Sequence, residues 1–407
     1  MKKIEGGVTA AKGFMAASTA AAIKYQGRTD MAMVCSEKPC VVAGTFTTNV
    51  VKAAPVIWDR NIVKEKGVAQ AVVVNSGIAN ACTGEEGLKY CQMTAEAVSK
   101  AINIPADSVM VGSTGVIGMQ LPIDRICAGV EDLAKKLKPS IEAGNEAARA
   151  IMTTDTKEKE IAFSLELSGK TVTIGGMAKG SGMIHPNMCT MLSYITTDAC
   201  INQKLLQKAL SEIVQDSFNM ISVDGDTSTN DTLLVFANGM AGNDIINSED
   251  DDYKLFYEAL KEVCTYLAKQ MAADGEGATK LVESVVLNAD TKDNARTLAK
   301  SVVCSSLTKA AMYGCDANWG RILCALGYSG VEFDPDKVDL YFVDGDKKIL
   351  IFTNGAGTDF SEEEATEMLK KDHVKVVSDM HMGTETATAF GCDLTHEYVN
   401  INADYRS

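Results

Sequence analysis

Lys179-Gly180-Ser181-Gly182-Met183-Ile184-His185-Pro186-Asn187-Met188-Cys189-Thr190-Met191-Leu192 is the stretch on which the reading of this chain turns. It sets a threonine behind a small side chain, at the end of an approach rich in glycine and punctuated by Pro186. A threonine hydroxyl is a weak nucleophile at neutral pH and needs a base within hydrogen-bond reach. Cutting the chain between Cys189 and Thr190 supplies one, because the freed α-amino group sits on the same residue as the hydroxyl. An α-amino group has an ordinary pKa near 8, so an appreciable neutral fraction exists at pH 7.

Upstream, Glu160 to Leu167 and Thr171 to Ile174 alternate apolar and polar residues around Ser168-Gly169-Lys170, which predicts a β-hairpin delivering the chain to Lys179. Before it, Ile126 to Leu137 and Ile141 to Met152 carry apolar residues at helical spacing. Downstream, helices are predicted over Leu205 to Phe218 and Tyr253 to Ala273, with the acidic Ser248 to Asp252 as a solvated helix start. Strands are predicted over Lys280 to Leu287, Val338 to Val343, Lys348 to Phe352 and Val374 to Ser378, then a closing pair over Thr384 to Leu394 and Tyr398 to Ile401. No repeat or low-complexity linker breaks the chain, and the mixture implies a layered α+β architecture.

The totals set bounds. A chain of 407 residues, 46% hydrophobic, buries a sizeable core. Its 39 Lys and Arg stand against 54 Asp and Glu, a net charge of −15, which disfavours nucleic acid and anionic membranes as partners. No run approaches the roughly 18 apolar residues of a spanning helix, and the expectation is a cytoplasmic protein. The twelve cysteines show no Cys-x-x-Cys pair and read as free thiols, not as a metal site or disulfide scaffold. With four histidines, at 185, 373, 381 and 396, a mechanism whose base is not histidine is favoured.

Other motifs lie along the chain in a fixed order: Gly44-Thr45-Phe46-Thr47-Thr48-Asn49, Asn75-Ser76-Gly77-Ile78-Ala79-Asn80, Ser113-Thr114-Gly115-Val116-Ile117-Gly118, Met152-Thr153-Thr154-Asp155-Thr156, Asp224 to Asp231, Gly275-Glu276-Gly277-Ala278-Thr279-Lys280 and Asn318-Trp319-Gly320-Arg321-Ile322. Together with Lys179 to Leu192, this set resembles the ornithine acetyltransferase (glutamate N-acetyltransferase) family of arginine biosynthesis over nearly the whole chain. The resemblance implies an αββα-type sandwich in two lobes. It also implies self-cleavage at Cys189-Thr190 into an α chain (1–189) and a β chain (190–407), and pairing of these into an α2β2 assembly. The family's commoner Met-Ala before the threonine is Met188-Cys189 here.

By the same resemblance, Thr190 is the nucleophile, and Thr114 and Gly115 form the oxyanion hole. Thr153, Lys179, Thr190, Glu276, Asn402 and Ser407 bind substrate. Lys179 is chemically apt for an α-carboxylate and Glu276 for the ornithine ammonium, although each read alone is more often a solvated surface charge. The substrates implied are N-acetylornithine and glutamate, with acetyl-CoA as a further donor in some members, and no cofactor or metal is implied. Asp224-x-Asp226-x-Ser228 begins like a calcium loop, but Thr229 and Val235 occupy the turn-glycine and bidentate-glutamate positions. Gly180-x-Gly182 lacks what a dinucleotide or phosphate-loop fingerprint needs. Two other readings remain open at this stage: an amidase or aminopeptidase of the same self-processing architecture, and a non-catalytic amino-acid-binding protein.

Overall fold

A computed structural model describes residues 1–185 and 191–404. Residues Cys189, Thr190 and Ser407, all singled out by the sequence, lie outside the described residues. The chain divides into two compact units, one built from residues 1–180, 191–215 and 227–267, the other from Ser181–His185, Asp216–Asp226 and the chain from Ala268 onward.

The first unit carries a nine-stranded mixed sheet in the order Lys2–Ile4, Lys159–Leu167, Lys170–Lys179, Leu192–Thr197, Thr232–Ala237, Met31–Phe46, Val68–Asn75, Val109–Ser113, with Phe14–Thr19 paired to Met31–Phe46. Two pairings are parallel, Leu192–Thr197 with Thr232–Ala237 and Val68–Asn75 with Val109–Ser113. The run Ala71-Val72-Val73-Val74 shows why its strand is apolar without alternation. Val72 and Val74 enter one core with Phe14, Val34 and Tyr194, whereas Ala71 and Val73 enter another with Met33, Val98 and Leu133. A strand covered on both faces has no solvent side to make polar, and each valine so buried contributes roughly 1.5–3 kcal/mol.

The predicted hairpin is present as Lys159–Leu167 and Lys170–Lys179, with Leu167 opposite Lys170. Its two loop residues, Ser168 and Gly169, have φ of +49° and +70°, the doubly left-handed backbone that matches the twist of the flanking strands. Lys170–Lys179 in turn pairs antiparallel with Leu192–Thr197, so strands from both sides of position 189 are hydrogen-bonded neighbours.

The second unit holds a seven-stranded mixed sheet in the order Ala356–Gly357, Lys347–Thr353, Asp339–Asp344, His373–Asp379, Leu281–Ala289, Glu385–Cys392, Ile221–Ser222. Its core joins Val282, Val286, Phe342 and Val376 to Leu298 and Val302 of the helix Lys292–Cys304. With helices accompanying both mixed sheets, the fold is α+β, as the sequence implied.

Two elements differ from expectation. Tyr398 to Ile401 lies in a helix, His396–Ala403, not a strand. Thr395 caps that helix by accepting from the Tyr398 N–H, and the helix buries none of its residues, so no apolar stripe marked it in the sequence. The helix expected over Leu205 to Phe218 is Gln203–Ile213, after which the chain tightens into two short 3₁₀ turns.

Candidate active site

In the first unit the motifs interlock. The strand Val109–Ser113 ends on Ser113, whose hydroxyl donates to the Ile78 carbonyl and accepts from the Asn80 N–H. Asn230 donates to the Ser113 carbonyl at 2.8 Å, and Thr47 and Asn49 donate to the Ser228 and Thr227 carbonyls. The loop that follows Ser113 is therefore held from several sides. Thr114 N–H donates to the Asn75 carbonyl, and Val116 N–H to that of Gly77. Between them Gly115 has φ +128°, and a side chain there would run into the Gly77 carbonyl. Its N–H makes no hydrogen bond among the described residues. A fixed, half-buried and unengaged donor beside a threonine hydroxyl is what an oxyanion hole requires.

Lys179 closes this loop. Its ammonium donates to Thr153 Oγ1 at 2.8 Å and to Thr114 Oγ1 at 3.4 Å. The residue is only 8% exposed, so the commoner reading of a lone lysine as a solvated surface charge does not hold here. Burying an ammonium is costly unless it is paired, and the pair is Asp155, 3.8 Å away. Asp155 also accepts from Lys159 Nζ at 2.7 Å, from Gly180 N–H at 2.6 Å and from Thr153 N–H at 3.1 Å. Burial works to raise the Asp155 carboxyl, but the Lys179 and Lys159 ammoniums and the Gly180 N–H outweigh it and hold the group at about 2. Asp155 fixes Thr153, Gly180 and two lysines at once. Sequence reading quoted it within a motif but gave it no role; an acid set among threonines was the signal.

A second carboxylate went unassigned. Asp231 is 1% exposed and immediately precedes the strand Thr232–Ala237, whose Thr232 N–H donates to the Met191 carbonyl. Burial pushes its carboxyl well above the usual range, against the pull of the Ser228 and Thr47 hydroxyls and the Met191 N–H. Those donors face it, yet neither oxygen completes a well-aligned hydrogen bond within the described residues.

In the second unit Glu276 is 7% exposed, again not the helix-end surface charge its sequence setting suggested. Its N–H donates to the Ser181 carbonyl, and Oε2 accepts from Asn402 Nδ2 at 2.7 Å. A side chain at Gly182 would collide with the Glu276 carboxylate, so that glycine is explained by close approach. Asp224 accepts from the N–H groups of Met183 at 2.6 Å and Ile184 at 2.8 Å, holding Met183 at φ +54°. Val223 N–H donates to the Ile184 carbonyl. His185 Nδ1 lies 3.1 Å from Ser222 Oγ and 3.5 Å from Cys304 Sγ; burial, aided by the Lys300 charge, pulls the imidazole down to about 4, so it is neutral at pH 7.

The structure thus gathers Thr114, Gly115, Thr153 and Lys179 in one cluster and Glu276 with Asn402 in another. Asn318, by contrast, caps the helix Trp319–Gly327 and Trp319 packs on Phe352 at 5.0 Å, so that motif serves the core. Among the described residues no group of three or more His, Cys, Asp or Glu side chains is placed to hold a metal ion, and no helix is long and apolar enough to cross a membrane.

The sequence model of the ArgJ family matches residues 15–407. The arginine biosynthesis bifunctional protein ArgJ 1 of Clostridium acetobutylicum is 51% identical over 394 residues, covering 97% of this chain and 96% of that one. The arginine biosynthesis bifunctional protein ArgJ of Thermotoga neapolitana is 50% identical over 397 residues, covering 97% and 99%. Among solved structures, that of the arginine biosynthesis bifunctional protein from Bacillus halodurans is 49% identical with a TM-score of 0.50, covering 52% of this chain and 97% of that chain.

Proposed function

The chain belongs to the ArgJ family, and from that premise we propose that it is a glutamate N-acetyltransferase of arginine biosynthesis, moving an acetyl group from N-acetylornithine to glutamate and also accepting acetyl-CoA as donor. The observation that carries the reading is the cluster of Lys179, Thr153 and Thr114 beside the unengaged Gly115 N–H.

The chemistry needs a nucleophile, a base and donors for the oxyanion. In maturation the Thr190 hydroxyl attacks the Cys189 carbonyl; the acyl group shifts from nitrogen to oxygen, and water hydrolyses the ester, leaving a carboxylate on Cys189 and a free amine on Thr190. In turnover that amine takes the hydroxyl proton as Thr190 Oγ attacks the acetyl carbonyl. The Thr114 hydroxyl and Gly115 N–H stabilise the tetrahedral oxyanion, and the proton returns to the departing ornithine nitrogen. The glutamate amine then attacks the acetyl-threonine ester and regenerates the hydroxyl. Lys179 receives the α-carboxylate and Glu276, with Asn402, the ornithine ammonium; Ser407 adds a hydroxyl. The hydroxyl, the amine and the two oxyanion donors account for every bond made and broken, so the scheme calls on no cofactor, with acetyl-CoA entering as a co-substrate.

Scission at 189/190 leaves a second piece of 407 − 189 = 218 residues. The Bacillus halodurans chain, matched almost in full, spans 52% of this one, a length that suits such a piece. Assembly as α2β2 in the cytoplasm completes the proposal. The test is denaturing intact-mass spectrometry together with transfer assays. Fragments ending at Cys189 and beginning at Thr190, with acetyl transfer from N-acetylornithine to glutamate, are expected, and Thr190→Ala should abolish both. An uncut wild-type chain, or normal transfer by Thr190→Ala, would refute the mechanism.

A further inference from the structure

A cleft of about 590 Å³ in the first unit borders the site described above at Thr47 but is lined by none of Thr114, Gly115, Thr153 and Lys179. One wall is the helix Ala54–Glu65, which turns Arg60 and Lys64 toward it; Lys52, just before that helix, joins them. The facing wall is the helix Gln203–Ile213, contributing Gln203, Gln207 and Ser211 at four-residue spacing, and Phe46 lies on the floor. No Asp or Glu lines the cleft, in a chain whose acids outnumber its bases by 54 to 39.

Arg60 and Lys64 are four apart on one helix face, where like charges repel. Neither side chain makes an ion pair or hydrogen bond among the described residues. Lys52 spends one donor on the Asn49 carbonyl at 2.9 Å. The opposite wall is rigid, because Gln207 accepts from the Gly44 N–H at 3.0 Å and donates to its carbonyl at 3.1 Å, and Gln203 donates to the Val42 carbonyl. Cations without counter-charges, concave shape and a fixed polar wall together describe a receptor for an anion. Its size falls within the roughly 300–1,000 Å³ of small-molecule sites, well beyond a single phosphate. Arg and Lys are the residues suited to phosphoryl oxygens, and Phe46 offers an apolar surface to the rest of the ligand.

We infer that this cleft binds a multiply phosphorylated, nucleotide-sized anion through Lys52, Arg60 and Lys64. Two sources share that chemistry: the phosphorylated nucleotide end of a coenzyme A thioester, and a free nucleotide. The thioester source rests on the acetyl-transfer reading above; binding itself does not.

The experiment is calorimetric titration of the full protein at low salt with coenzyme A and ATP, comparing wild type, Arg60→Gln/Lys64→Gln and Arg60→Lys/Lys64→Arg. Saturable binding that weakens with added salt, falls about tenfold for each cation removed and survives the charge-conserving exchange is expected. A wild-type protein that binds neither probe, or a neutralised variant that binds as well as wild type, would overturn the inference. Acetylation kinetics then distinguish the sources. A raised KM for acetyl-CoA in the neutralised variant, with N-acetylornithine-driven transfer unchanged, assigns the cleft to the thioester. Weakened binding with an unchanged KM for acetyl-CoA assigns it to a free nucleotide. A protein that binds either probe but transfers no acetyl group from any donor would defeat the function proposed above and leave the cleft standing.

Discussion

Asp155→Asn removes a carboxylate that two buried lysines share, and its cost can be worked from the site. Lys159 is completely buried and Lys179 nearly so, and their ammoniums lie 2.7 and 3.8 Å from the two Asp155 oxygens. Removing one partner of a buried ion pair costs about 3–5 kcal/mol, because the remaining charge loses the partner that offsets its burial. The same pairing holds the carboxyl at about 2 instead of 3.8, a gap on the order of 2–3 kcal/mol. A carboxyl whose folded pKa is depressed stabilises the fold fully above its unfolded value. The contribution therefore disappears as pH falls from about 4 to about 2, and the variant should have lost this slope. The assay is equilibrium urea unfolding followed by circular dichroism in a Thr190→Ala background, whose chain should stay in one piece. Asp155→Asn should lose about 2–5 kcal/mol, and Asp155→Asn/Lys159→Met should recover part of it, since the methionine fills the space without a charge. A loss below about 1 kcal/mol, or a double variant no more stable than the single one, would refute the reasoning.

Thr114→Ala should lower acetyl-transfer kcat about 10²- to 10³-fold with little change in KM, and unchanged turnover would remove Thr114 from the oxyanion role. Gly182→Ala should fold, because what its methyl meets is the end of a flexible side chain; displacing Glu276 should raise KM for N-acetylornithine about tenfold, a loss on the scale of one charge-assisted hydrogen bond. Glu276→Gln should weaken N-acetylornithine more than glutamate, since only the former brings a side-chain ammonium, and steady-state KM values for both substrates check this. Asp224→Asn should slow scission between Cys189 and Thr190 by loosening the Met183 and Ile184 N–H groups, which the time course of intact masses after synthesis would reveal.

Local pattern carried the hairpin, the helix Ile141–Ala150 and most strands of the second unit, because alternation and helical spacing are recorded within a few residues. What it could not carry was pairing at long range: Lys2–Ile4 beside Lys159–Leu167, or Thr232–Ala237 between Leu192–Thr197 and Met31–Phe46. The strand Met31–Phe46 is interrupted by the exposed Glu37 and Lys38, so its continuity over 16 residues shows only once its partners are in place. Site chemistry divided in the same way. Thr114, Gly115, Lys179 and Glu276 were named through the family resemblance, while their burial was opposite to what lone charges suggest. Asp155 and Asp231 escaped assignment because a carboxylate in a polar motif reads as solvated until the chain closes over it.

The nine-stranded sheet draws neighbours from both sides of position 189: Lys170–Lys179 lies before it, Leu192–Thr197 and Thr232–Ala237 after it. Likewise the Met183 and Ile184 N–H groups donate to the Asp224 carboxylate, and the Ile184 carbonyl accepts from the Val223 N–H. If maturation breaks the Cys189-Thr190 bond as proposed, what had been a unimolecular folding problem becomes a bimolecular one. The nicked protein should then stay together in native buffer, while its recovery after denaturation should depend on fragment concentration, as for any complex held by mass action. Maturation would then work as a molecular ratchet, in which the intact precursor can search for its fold alone and the mature pair must first find each other.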